Sequence, residues 1–333
     1  MQVTKEELIS TPEKSGTHVV ILGAGASKAA FPNGDANGKQ LPVMDNLIEV
    51  VGLEELLRDN NVDFEGKDFE HIYSELFRVT PNSSILEEIE IAISNYFKSL
   101  ELPDTPTLYD HILLSLKPND LIATFNWDPF LFDAWERLPN QSLQTQNMAF
   151  LHGNVRIGFC EKHKYFIRNG FSCPKCRKRV VPTKLLYPIE TKDYSTDSFI
   201  KLQWEKLRHN LQDAFTLTIF GYSAPSSDKD AVDLILIDWH KAINRDITTV
   251  HMIDIKNEDT LAVQWKPFYK SSHYQCVSDF YKSYITQYPR RSCEALKFQT
   301  VYGKFAEQFP LKRDMSFEEL HNWFEPLWKA EGI

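Results

Sequence analysis

No stretch of this 333-residue chain is apolar for the length that a membrane-crossing helix requires. The first residues, Met1 to Lys14, are polar and acidic, unlike a secretory signal, so a cytoplasmic protein is expected. Positive charge is in deficit. Lys and Arg number 37 against 46 Asp and Glu, for a net charge of −9 and a pI near 5.6. That balance argues against nucleic acid as a general partner and against a membrane surface. Cysteine is scarce too, with five in all and three of them between positions 160 and 176. So few, so clustered, exclude a disulfide framework and point instead to a metal. Internal repeats and low-complexity segments are missing, and 42% hydrophobic with 25% charged residues excludes a disordered class. The length is enough to bury a sizeable core.

What is present is a series of short apolar runs, each ending in glycine or a polar residue. Val19-Val20-Ile21-Leu22 runs into Gly23-Ala24-Gly25-Ala26-Ser27-Lys28. A strand entering a glycine turn before a helix is a phosphate cradle: Gly23 permits the turn, Gly25 lets backbone N–H groups approach, and Ser27 adds a hydroxyl donor. Leu121 to Thr124 ends in Phe125-Asn126-Trp127-Asp128, and Met148 to Leu151 ends in His152-Gly153. Phe215 to Phe220 ends in Gly221-Tyr222-Ser223, followed by a helix from about Asp228, and Thr249 to Ile253 ends at Asp254. Open parallel sheets place their ligands at such strand ends. Residues 44 to 100 read as mainly helical, with Ile85, Ile89, Ile93, Tyr96 and Phe97 at helical spacing, and Leu108 to Leu116 as a short helix. Ser316-Phe317-Glu318-Glu319 is a capping box opening a C-terminal aromatic helix.

Asn126 and Asp128 stand two apart in extended chain and therefore face one side, where both can enter one pocket. The plain alternative for Asp128 is a helix cap ahead of Pro129. His152 ends an apolar strand beside a glycine, so a neutral imidazole there can take a proton near pH 7, while the other nine histidines read as structural. Cys160-x-x-His163, nine residues, then Cys173-x-x-Cys176 has two chelating pairs at zinc spacing, with all four positions filled as in a structural site. Around it Lys162, Lys164, Arg168, Lys175, Arg177, Lys178, Arg179 and Lys184 oppose only Glu161, a stripe read first as a solvated knuckle.

In order, Gly-Ala-Gly-Ala-Ser, Phe-Asn-Trp-Asp, His-Gly, the cysteine knuckle, Gly-Tyr-Ser and Asp254 resemble the sirtuin family over roughly residues 18 to 256. More narrowly they look like the divergent bacterial sirtuin-like proteins that hydrolyse NAD in anti-phage defence. The resemblance implies an α/β fold: a Rossmann-like parallel sheet with helices on both faces, a helical insert and a small zinc-ribbon insert. It implies a tail at 1–16 and one domain over 17–333, with the helical insert at about 44–105, the zinc insert at about 155–184 and an aromatic-rich extension at about 260–333. It implies catalysis by His152, Asn126 and Asp128, with NAD as substrate held by Gly23, Ala24, Gly25, Ser27, Phe31, Thr124, Gly221, Ser223 and Asp254. Zinc would be bound by Cys160, His163, Cys173 and Cys176. Asn126 would orient ribose or a water, Asp128 would contact the nicotinamide carboxamide, and Asp254 the adenine ribose.

The chain departs from the family where Ala29 to Asp35 replace its Gly-Ile-Pro-Asp-Phe-Arg run, where Phe125 replaces a glutamine, and where His163 replaces a zinc cysteine. The first two changes lie at the nicotinamide end, which favours NAD hydrolysis over a sirtuin deacylase. A silent NAD or ADP-ribose sensor is the third reading. A hydride-transfer dehydrogenase is disfavoured, because Lys28 stands where its third glycine belongs. Because an unrestrained NAD hydrolase would exhaust its cell, control by a homo-oligomer or a separately encoded regulatory protein is expected.

Overall fold

A computed structural model describes residues 2–12, 16–138, 147–189, 192–241, 247–269 and 273–333. Its centre is a six-stranded sheet: β1 (Thr17–Leu22), β2 (Leu121–Thr124), β3 (Asn147–Phe150), β4 (Ala214–Phe220), β5 (Thr249–Ile253) and β6 (Tyr274–Val277). Every neighbouring pair is parallel, and the spatial order is β3-β2-β1-β4-β5-β6. This 3-2-1-4-5-6 order is that of doubly wound dinucleotide-binding sheets, and it reverses between β1 and β4. The apolar runs become strands because both faces are covered: Val19 to Leu22 and Leu121 to Ala123 are at most 1% exposed. The Ser198–Asp213 helix packs on β1, β2 and β3, and the Ser292–Thr300 helix packs against β1.

Five strands coincide with the apolar runs. β6 was not expected. Its Tyr-Gln-Cys-Val is half-exposed at the sheet edge and carries no apolar run, so the aromatic-rich extension contributes a strand to the central sheet.

The segment between β1 and β2 is helical as expected, with helices at Leu47–Val51, Glu54–Asp59, Phe69–Val79 and Ser84–Lys98 before Leu108–Ser115. Ile85, Ile89, Ile93 and Phe97 are buried, as their spacing predicts. After β3 a small antiparallel sheet of Ile157–Cys160, Tyr165–Arg168 and Val181–Pro182 carries the cysteines.

Residues 1–16, expected to be a tail, are not loose where described. Gln2–Val3 pairs in parallel with Phe305–Ala306, and the Lys5–Ser10 helix starts at a Thr4–Glu7 capping box. Leu8 is fully buried. The tie is electrostatic as well as apolar. Arg290 and Arg291, both almost wholly buried, converge on Glu331 of the C-terminal Phe317–Glu331 helix. Their remaining N–H groups reach the carbonyls of Leu114, Leu116, Leu8 and Ile9. One carboxylate therefore bridges two buried guanidinium groups, and backbone carbonyls take up their other N–H groups, so that both ends of the chain are joined to the centre.

Removing one partner from such a cluster leaves charge buried and uncompensated, which costs about 3–5 kcal/mol. Glu331→Ala is expected to lose stability of that order in chemical denaturation. A loss no greater than that of an exposed helical Glu→Ala change would contradict the assignment.

Candidate active site and metal centre

The loops after β1 and β4 meet where the strand order reverses. Gly23 N–H donates to the Phe220 carbonyl at 3.0 Å, and Gly25 N–H to the Gly221 carbonyl at 2.9 Å. A Cβ on Gly23 would lie 2.5 Å from the Gly221 oxygen, and one on Gly25 would lie 2.8 Å from Gly221 Cα. Gly221 itself has φ +59°, and its Cβ would fall 2.3 Å from the Ala26 nitrogen. These glycines are required because two backbones touch, and the Gly25 N–H expected to face a phosphate is engaged with Gly221.

Ser27 also differs from its expected part as a phosphate donor. Its buried hydroxyl donates to Asp128 Oδ2 at 2.5 Å, lies 2.6 Å from the Tyr109 hydroxyl, and accepts from Asn126 Nδ2 at 2.9 Å. The same Asn126 nitrogen reaches the Gly23 carbonyl at 2.9 Å. Asn126 and Asp128 thus do enter one place, with Ser27 and Tyr109. Thr124 Oγ1 accepts from Asn126 N–H at 3.0 Å and so shapes the turn. Burial pushes the Asp128 carboxyl up to about 6 against the hydrogen bonds from Ser27 and Phe130 N–H. The latter, at 3.2 Å, comes from the first helical residue, but Pro129 and not Asp128 occupies the N-cap, so Asp128 only braces the turn into the Phe130–Glu136 helix.

His152 is seated next door. Asn154 Nδ2 donates to the Asp128 carbonyl at 2.6 Å, joining the two loops, and Leu186 N–H donates to the His152 carbonyl at 3.0 Å. Gly153 (φ +79°) passes so near Lys184 that a Cβ would stand 2.0 Å from its carbonyl oxygen. The imidazole meets the Phe125 ring edge-on at 4.7 Å, and Phe125 stacks on Tyr222 at 4.1 Å. Burial holds His152 down to about 4, with Asp228 opposing and Lys192 adding to the effect, so it is neutral at pH 7.

Asn126, Asp128 and His152 are all buried. Phe31 and Phe220 line a cavity of about 510 Å³ at the strand ends, together with Leu108, Phe280 and Arg313, a volume suited to a nucleotide-sized ligand. Phe31 also packs on Phe130 at 4.2 Å. Ala24 lies in the first turn of the Ala24–Ala30 helix. Ser223 is exposed, with its carbonyl held by Gln264 Nε2 at 2.9 Å. Asp254 directly follows β5 and accepts from Lys256 N–H at 3.0 Å. Neither has a described contact with the His152 cluster. Tyr109, Lys192 and Asp228 escaped the sequence reading, since each is one polar residue beside an otherwise ordinary helix or loop.

The four metal candidates do come together: one ligand atom from each of Cys160, His163, Cys173 and Cys176 lies within 4.8 Å of all the others. Cys160 Sγ is 3.6 Å from His163 Nδ1 and 3.7 Å from Cys176 Sγ, and Cys173 Sγ is 3.4 Å from His163 Nδ1. Zinc bonds of about 2.3 Å to sulfur and 2.0–2.1 Å to nitrogen give tetrahedral edges of about 3.5–3.8 Å, so the donor set fits zinc. Arg177 at φ +63° closes the knuckle by donating to the Cys173 carbonyl at 2.8 Å. Burial pushes the Cys173 thiol up, but N–H groups of Cys176 and Lys175 outweigh it and bring it to about 6, ready to bind as thiolate. Four protein ligands leave no open position for catalysis. The basic stripe is thinner than its sequence, because Arg168 turns in to Asp133 and Glu136 and Lys164 pairs with Glu161.

The fold is similar to solved structures of a Sir2 homologue–NAD complex and of a mutant Sir2 homologue with ADP-ribose. The first is 12% identical with a TM-score of 0.42, covering 89% of this chain and 96% of that one. The second is 13% identical with a TM-score of 0.38, covering 88% and 96%. Sir2Tm bound to a propionylated peptide is 12% identical with a TM-score of 0.35, covering 90% and 98%. No protein-family model and no curated protein matches the chain.

Two outcomes are expected. Zinc analysis of the purified protein gives one ion per chain, and Cys173→Ser or chelation lowers the melting temperature. Absence of zinc from protein prepared without chelator contradicts the site. Second, Asp128 has a folded pKa raised from about 3.8 to about 6, so the folded state binds its proton more tightly than the unfolded chain. Its contribution is greatest at low pH and is lost as pH rises through that window. The stability difference between wild type and Asp128→Asn should therefore fall between pH 4 and 6, and a flat difference would contradict the burial argument.

Proposed function

We propose that this chain is a sirtuin-like enzyme that hydrolyses NAD to nicotinamide and ADP-ribose. The observation that carries the reading is convergence at the strand-order reversal. There the glycine loops of β1 and β4 meet, the Ser27–Asn126–Asp128 cluster forms, and a neutral His152 is held beside it. In a doubly wound sheet this crevice is where a dinucleotide binds.

The chemistry asks little more of the protein. Nicotinamide in NAD is a cationic leaving group that departs neutral, so no general acid is needed. The site must hold the ribose, stabilise an electron-poor carbon and admit a nucleophile. A neutral His152 takes the proton of a ribose hydroxyl or of the attacking water. Asn126 and Asp128 orient the ribose and the nicotinamide carboxamide, and the 510 Å³ cavity lined by Phe31 receives the rest of the dinucleotide. Phe125, stacked on Tyr222 beside His152, stands where the resemblance expects a glutamine at the nicotinamide end, and that departure supports water over an acyl-lysine oxygen as nucleophile. With the burial of His152, the stack also means that substrate entry moves side chains.

The motif resemblance extends the proposal to a cytoplasmic, NAD-depleting effector of anti-phage defence, restrained by self-assembly or by a separately encoded protein. A purified chain that is monomeric and fully active alone would refute that restraint.

The test is incubation with NAD, with and without an acetylated peptide, following nicotinamide, ADP-ribose and O-acetyl-ADP-ribose. Peptide-independent nicotinamide release that falls at least about 100-fold in His152→Ala is expected. Release that strictly requires peptide identifies a deacylase instead, and binding without turnover a sensor.

A further inference from the structure

Behind the strand ends, four buried titratable side chains stand together: His152, Asp228, Lys192 and Tyr222. His152 Nε2 has no hydrogen-bond partner among the described residues and lies 3.8 Å from Asp228 Oδ1. That distance is too long for a hydrogen bond. The cause is competition. Asp228 Oδ1 is in an ion pair with Lys192 Nζ, which also donates to the Ser227 carbonyl at 2.9 Å and to Ser227 Oγ at 3.2 Å. Asp228 Oδ2 accepts from the Tyr222 hydroxyl at 3.0 Å.

The helical insert clamps both partners. Glu70 accepts from Ser226 Oγ at 3.0 Å and from Ser227 N–H at 2.9 Å, fixing the turn that carries Asp228. Ser74 donates to the Pro188 carbonyl at 2.7 Å, and Tyr73 stacks on Tyr187, a few residues before Lys192.

We propose that Asp228 is a positioning residue for His152: its carboxylate keeps the imidazole proton on Nε2 and leaves Nδ1 as the accepting nitrogen, while Lys192 competes for the same oxygen. A ring lone pair aimed at a buried carboxylate is repelled, whereas an N–H aimed there is attracted, so the tautomer follows from the placement. The other groups facing the ring do not reverse this. Tyr222 and Tyr194 are phenols that burial keeps protonated, and Phe125 presents a ring edge. Lys192 offsets the carboxylate, so its hold on Oδ1 keeps His152 neutral and unengaged. Any movement that draws Lys192 away lets Asp228 close on Nε2–H and makes the ring more basic. The consequence for catalysis rests on the NAD-hydrolase reading; the tautomer itself does not.

The experiment is imidazole ¹⁵N NMR of the full chain against pH, without NAD, alongside NAD-cleavage kinetics. Wild type should show the Nε2–H form, and Asp228→Asn should lose that preference and lower kcat about tenfold or more with KM little changed. Lys192→Met should raise the His152 titration by about one pH unit or more, since it removes a repelling cation and frees Oδ1. A wild-type Nδ1–H form, or a tautomer indifferent to Asp228→Asn, overturns the proposal. Should Lys192→Met fail to fold, the near-isosteric Asp228→Asn decides alone. If the NMR result holds and no chain cleaves NAD, the NAD reading fails and the positioning role stands. If NAD is cleaved and the tautomer ignores Asp228, the reverse is true.

Discussion

The contact between the Gly23–Gly25 turn and Gly221 is the constraint on which the site depends. Parallel pairing of β1 with β4 brings two strand ends side by side, and only residues without Cβ let the emerging backbones touch. The hydrogen bond from Gly25 N–H to the Gly221 carbonyl locks that approach. Everything chemical is hung from it. Asn126 reaches back to the Gly23 carbonyl, Ser27 is turned toward Asp128, and Tyr222 is carried against Phe125 and so against His152. A side chain at any of the three glycines would separate the loops and dissolve the cluster that they assemble.

The cluster is expensive in isolation. Burying a carboxylate, an imidazole, an amide and two hydroxyls is favourable only if each finds partners. Ser27, Asn126, Tyr109 and Asp128 satisfy one another, and Lys192, Asp228 and Tyr222 do the same. Among the described residues His152 Nε2 is left without a partner, as are the hydroxyl of the stacked Tyr194 and the indole nitrogen of Trp127. Unsatisfied buried groups mark places where stability has been given up, and such places are commonly functional. The zinc knuckle follows a different logic. Its buried residues form a small separate cluster of Cys160, Cys173 and Val180, too few to hold a fold, so a metal bound by the four ligands would supply the cohesion that apolar area does not.

Much of this architecture was legible from periodicity. Five strands of the sheet, the helical insert and the capped C-terminal helix lie where apolar spacing and capping residues put them, because burial on two faces or one leaves a direct trace in sequence. The edge strand Tyr274–Val277 left none, being short and half-exposed. The N-terminal segment is ordered through Arg291, some 280 residues away, which reaches the carbonyls of Leu8 and Ile9. No local pattern announces such a tie.

The chain by itself determined which residues could do chemistry and the order in which they arrive: glycine turn, Asn-Trp-Asp, His-Gly, metal knuckle, Gly-Tyr-Ser. Residue type and strand-end position are local properties, and they were readable. Only the tertiary structure decided what each group faces. It placed Ser27 on Asp128 instead of in an open phosphate cradle, engaged Gly25 with Gly221, and brought Asp228 and Lys192 to His152 from distant segments. Burial and pairing between distant segments set protonation and hydrogen bonding, and neither is a property of any short stretch of sequence.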